Sequence, residues 1–232
     1  MKVLILSLVS LFVSFSSSAQ LRWGVYGGLS RSESVEKLQP FNTGPGLDIE
    51  LESEPIDVAV YSHIGWFIER NLVQNLFVET GMMYEKRGYT RGEYVPMYDA
   101  SFNFQHKLPY VGIPLQVNYY LINRKFKFHV TAGQKVGWCF DGEKALSKNF
   151  SASVNGREFD SSAVRPTEIP VGKDGLYKSF NYDLLFGGGL GIGRFSFVVT
   201  YNLGLNNLSN FEMITYKSRV FNYGLRIDLT KK

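Results

Sequence analysis

Three histidines, a single cysteine and a set of scattered charges are the groups in this 232-residue chain that could do chemistry. His63, His106 and His129 show none of the short spacings that bring imidazoles onto one metal ion, so no metal site is predicted. No Ser–His–carboxylate motif is readable, so no catalytic or cofactor-binding residue is assigned and the chain is expected to be no enzyme. Cys139 is alone, which excludes an internal disulfide; it is read as structural. The run LLFGGGLGIG, residues 184–193, has no following helix to cradle an anion and is not a phosphate loop. In DIELESE, residues 48–54, the carboxylates Asp48, Glu50, Glu52 and Glu54 alternate. They could bind divalent cations or a basic partner, or serve only as a solvated loop.

The elements that must carry these groups are strands. Residues 110–121 read YVGIPLQVNYYL, with Val111, Ile113, Leu115, Val117, Tyr119 and Leu121 on one face and Tyr110, Gly112, Pro114, Gln116, Asn118 and Tyr120 on the other. Strict alternation over twelve residues is a β-strand with two chemically different faces. Eight such segments are predicted, near residues 21–30, 58–69, 75–88, 105–122, 126–140, 180–193, 195–206 and 218–230. One face is apolar and aromatic, as in Phe195, Phe197, Val199, Tyr201, Leu203 and Leu205. The other is small or polar, and carries Arg22, Glu79, Glu85, Arg87, Lys127, His129, Lys135, Asp183, Arg226 and Asp228. An eight-stranded barrel has an interior only just wide enough for side chains, so the aromatic face is expected outside, against lipid, and the glycines and compact polar groups inside. Ten residues at a rise of ~3.3 Å, tilted by about 45°, climb roughly 23 Å, close to the ~25 Å apolar band of such a barrel. The inward charges could form an ion path, but mutual pairing that fills the bore is favoured, because wide aqueous channels need about sixteen strands. Pro114, which lacks a ladder donor, is expected at a bulge or a locally unpaired position.

The amino terminus, MKVLILSLVSLFVSFSSSAQ, has one Lys, an apolar run and small residues at Ser17 and Ala19. It reads as a secretory signal peptide over residues 1–19, leaving a barrel domain over residues 20–232. A formal net charge of +4, dispersed along the chain, gives no argument for nucleic acid. Predicted connections alternate short and long. The short ones are near residues 70–74, 123–125 and 193–194, and the long ones, residues 31–57, 89–104, 141–179 and 207–217, are expected outside the cell. The first long loop holds seven acids against Arg31 and Lys37, net −5.

KLPYVGIPLQVNYYL followed by a tight turn and FKFHVTAGQKVGW resembles the PorT-like outer-membrane β-barrel family of Gram-negative bacteria, as do the Ala-Gln signal end and the Gly-rich strand. The resemblance covers most of residues 20–230 and implies an eight-stranded antiparallel transmembrane up-and-down β-barrel in the cell outer membrane. The expected function is a non-enzymatic structural or interaction role through external loops, or support of an envelope assembly. The alternative is a narrow channel or an accessory of a protein-secretion system, the role of the family's namesake. Expected partners are outer-membrane lipid and other envelope or secretion proteins, around a monomeric barrel.

Overall fold

The computed structural model describes residues 21–38, 41–42, 48–49, 57–95, 100–146, 152–154, 157–159, 166–211 and 214–230. Eight long strands dominate them: β1 (Leu21–Leu38), β2 (Asp57–Val73), β3 (Leu76–Val95), β4 (Ala100–Asn123), β5 (Phe126–Cys139), β6 (Phe180–Ile192), β7 (Phe195–Gly204) and β8 (Ile214–Asp228). Each is antiparallel to its neighbour in sequence, and β8 returns to β1 with Gly24 opposite Asp228 and Leu38 opposite Ile214. The barrel is therefore closed, and every barrel strand finds hydrogen-bonding partners on both sides, the condition for a sheet in lipid.

At one end, two-residue turns join β2 to β3 through Gln74 and Asn75, β4 to β5 through Arg124 and Lys125, and β6 to β7 through Gly193 and Arg194. Asn75 and Gly193 take φ values of 64° and 61°, the left-handed conformation that tight hairpin turns demand. At the other end the strands run well past the predicted limits. Strand enters both segments expected as loops, at residues 31–57 and 89–104: β1 continues to Leu38 opposite β8, and β3 and β4 stay paired until Val95 faces Ala100. Tyr89, Thr90, Tyr94, Val95, Phe102 and Phe104 supply the β-branched and aromatic residues that favour extended backbone beyond the apolar band. In residues 141–179 a short strand, Gly142–Leu146, adds to β4, and Thr167–Ile169 adds to that. The loop expected at residues 207–217 is shortened because β8 starts at Ile214. The signal segment, residues 1–19, and Glu50, Glu52 and Glu54 of the acidic stretch lie outside the described residues.

Outward residues form the expected apolar surface. Ile64, Leu190 and Leu225 are 64%, 62% and 61% exposed. Tyr119, Phe126, Phe195 and Trp23 ring the turn end, and Tyr84, Val111, Trp138 and Phe180 form one row across β3 to β6 at the loop end. Aromatic rings at both edges of an apolar band mark where lipid meets water. Pro114 is unpaired on its β3 side only, and stands opposite Lys135 in the β4–β5 ladder. The β3–β4 ladder lapses between Thr80–Leu115 and Met83–Gly112 without a shift of register, and the Thr80 hydroxyl donates to the Pro114 carbonyl at 2.9 Å.

Candidate functional site

The lumen is where the chain concentrates its chemistry, and it is built as four layers. Alternation turns Arg22 (β1), Glu69 (β2), Glu79 (β3), Asn118 and Tyr120 (β4) and Arg226 (β8) into the turn half of the bore. Arg226 bridges Glu79 and Glu69, its Nη2 lying 3.3 Å from Glu69 Oε2. Asn118 Nδ2 donates to both carboxylates at 2.8 Å, Gln116 Nε2 to Glu79 at 2.9 Å and the Tyr120 hydroxyl to Glu69 at 2.9 Å. Arg22 reaches Glu69 at 3.7 Å, and Lys127 meets Asp228 at 3.5 Å below it.

A second cluster fills the loop half. Arg87 Nε donates to Glu85 at 2.7 Å and Nη1 to Asp183 at 3.2 Å, while Lys135 Nζ donates to Glu85 at 2.6 Å. The described lumen thus holds five acids against five bases, each with an opposite charge at hand. That balance is what a low-dielectric interior requires. All ten predicted inward residues point into the bore. Glu69 is an addition: it lies near the end of β2, flanked by Ile68 and Arg70. The expectation that aromatic rings stay outside is corrected at Phe67 and Phe77, which are buried in the bore. Guanidinium groups lie over their faces, Arg226 at 3.6 Å from the Phe67 centroid and Arg22 at 4.5 Å from that of Phe77, so the rings serve as cation platforms.

Between the clusters is a cavity of about 60 Å³, lined among others by His63, His129, Thr131 and Asn222. Its lining mixes these polar groups with Met83, Leu185 and Val198, and its volume suits a few waters. His63 Nδ1 lies 3.0 Å from the Ser30 hydroxyl, both buried. The pair ties β1 to β2 inside the bore. His129 lies across the glycine column of β6, where a Cβ added at Gly189 would come within 2.5 Å of its Cε1. That wall, bare of side chains, is therefore covered. Gly189→Ala should cost about 1–3 kcal/mol by overpacking. Denaturant unfolding checks this, and adding His129→Ala should recover part of the loss; a double variant no better than the single one would refute the contact.

Above the ionic layers, an aromatic cap closes the mouth. Tyr89, Leu108, Tyr110, Cys139, Ile169, Tyr177, Leu208 and Tyr216 form one buried cluster. Tyr89 and Tyr177 share a hydroxyl–hydroxyl bond of 2.6 Å, and His106 stacks on Tyr89 with centroids 4.7 Å apart. Main-chain bonds from Lys178 to Leu208 and from Leu208 to Tyr216 hold residues 166–179 and 205–211 across the opening. Cys139 is buried here, its thiol 3.5 Å from the Asp141 carbonyl, in a packing role. His63 and His129 share the central cavity while His106 stands in the cap, and among the described residues there is no cluster of three or more potential metal ligands.

A family model described as outer membrane protein beta-barrel domain matches residues 14–210. The chain belongs to that family. As an outer-membrane β-barrel it is similar in overall course to solved structures of low identity. Ail, the attachment invasion locus protein of Yersinia pestis, is 10% identical, with 90% of this chain and 98% of Ail covered at a TM-score of 0.37. OprG from Pseudomonas aeruginosa is 12% identical, covering 90% and 96% at 0.46. Neisserial surface protein A is 10% identical, covering 91% and 99% at 0.40. Among curated proteins, none matches this outer-membrane β-barrel.

Proposed function

We propose that this outer-membrane β-barrel is a sealed, non-enzymatic anchor that presents a β-sheet outside the cell for contact with other envelope proteins. One observation carries this: the bore is closed twice, while the sheet continues beyond it. Two charge-neutral clusters and an aromatic cap occupy the lumen, with the small cavity between the clusters. On one side only, β3 and β4 project as a hairpin, extended laterally by Gly142–Leu146 and Thr167–Ile169. The last of these has no partner on its outer side among the described residues, an edge of the kind to which an extended segment can add. Residues 1–19 act as the signal peptide that delivers the chain, and the PorT-like sequence pattern points to the same compartment.

Two measurements test the proposal. Purified, refolded protein should give no steady conductance in a planar bilayer; porin-like conductance would put the narrow channel or secretion accessory first. Cross-linking on cells should capture envelope proteins, and a chain with residues 91–102 replaced by a short turn should lose them. Capture unaffected by that deletion would remove the hairpin from the interaction.

Orientation has its own test. Outer-membrane barrels keep short turns in the periplasm. Trypsin added to intact cells should cut within residues 141–179 and spare Arg124 and Lys125. Cleavage at that turn with the long segment intact would invert the topology.

A further inference from the structure

Outside the barrel wall, just beyond the aromatic edge at the loop end, cations accumulate on adjoining strands. Arg31 on β1 faces outward in the same row as Tyr201 and Phe221. Arg219 on β8 and Lys86 on β3 each stand two residues beyond an outward aromatic, Phe221 and Tyr84, which places them roughly 6–7 Å further along their strands. Lys217 follows Arg219 on the same face. All four are exposed, and none pairs with an acid among the described residues. Among the described side chains the nearest outward acid is Glu33, opposite Arg219 in the ladder, so these five residues sum to a net charge of about +3. Lys107, by contrast, is held by Glu143 at 3.6 Å and does not take part.

We propose that this arc binds the phosphate groups of outer-leaflet lipid. From β8 across β1 and β2 to β3 it spans three strand spacings, about 14 Å, the width of a lipid headgroup rather than of a single ion. The aromatic row beneath fixes its depth, since Trp and Tyr settle at the headgroup level of a membrane and leave a cation one step above among the phosphates. The side chains are long enough to snorkel along the apolar wall while their charged ends remain at that level. Charge complementarity, and a position one step above the aromatic row, select a lipid over a soluble anion. The inference rests on the loop end facing outward, which the protease experiment reports independently.

The test compares the wild type with the triple variant Arg31→Gln, Lys86→Gln, Arg219→Gln, each refolded in phosphatidylcholine vesicles containing fluorescent lipid A or its dephosphorylated form. Heat-modifiable gel mobility confirms that both are folded. Loss of about fivefold in affinity per cation, on the order of a hundredfold in all, is expected for the phosphorylated lipid. The dephosphorylated lipid should bind both proteins equally weakly. A triple variant that keeps the wild-type preference would overturn the proposal. So would an equal loss in the turn-end variant Arg124→Gln, Arg194→Gln, or displacement of the lipid by inorganic phosphate at matched phosphate concentration.

Discussion

Arginine at Leu225 or Val199 will keep the barrel from assembling stably in lipid. Leu225 points away from the bore, is more than half exposed, and faces Gly27 and Phe197 across its two ladders. Val199 lies two residues beyond Phe197 on the same outward side of β7. A charged side chain near the midplane of a lipid face costs about 2–4 kcal/mol, a large fraction of the stability of a domain this size. Urea titration of refolding into vesicles reads the loss. Arginine at Thr131 should fail for a different reason: Thr131 is buried at the wall of the central cavity, and the longer side chain overfills it. If both outward substitutions refold with wild-type stability, the assignment of faces is wrong.

Arg87→Met should be the most damaging single change inside the lumen. It leaves Glu85 and Asp183 sharing Lys135 as their only cation in the loop-end cluster. Removing one partner of a buried ionic group costs about 3–5 kcal/mol, because the charge left behind stays desolvated. A second change, Asp183→Asn, restores neutrality and should return much of that loss, in spite of the missing hydrogen bonds. Denaturant midpoints for the single and double variants decide it. A single variant as stable as the wild type would show that water reaches the cluster, and the sealed bore would have to be abandoned.

Most of the barrel was legible because alternation is a local property. Phe128, Val130 and Ala132 against Lys127, His129 and Thr131 assign both faces of β5 without knowledge of any neighbour. The three tight turns were legible for the same reason. Three features were not. Glu69 joins the turn-end cluster through Arg22, Asn118, Tyr120 and Arg226, all of them on other strands and distant in sequence. The cap assembles Ile169, Tyr177 and Leu208 from segments with no periodicity, held by main-chain bonds that no spacing announces. Gly88 ends the simple alternation of β3, with a φ of 154° and a backbone carbonyl of His106 only 1.8 Å from where a Cβ would stand. That close approach depends on β4, so it cannot be inferred from β3 alone.

Cross-lumen charge pairing also guards against a fault that the hydrophobic pattern cannot detect. If β8 docked on β1 one residue out of place, every side chain would change face and the apolar wall would forbid it. A slip of two residues preserves inside and outside, and lipid would accept it. Arg226, however, would move roughly 6–7 Å along the strand, away from Glu79 and Glu69, and both carboxylates would be left buried with Arg22 alone. Because β8 closes the barrel against β1, that mismatch would lie at the closing seam. The ionic clusters thereby act as a proofreading step for register, and they confine the protein to one way of closing.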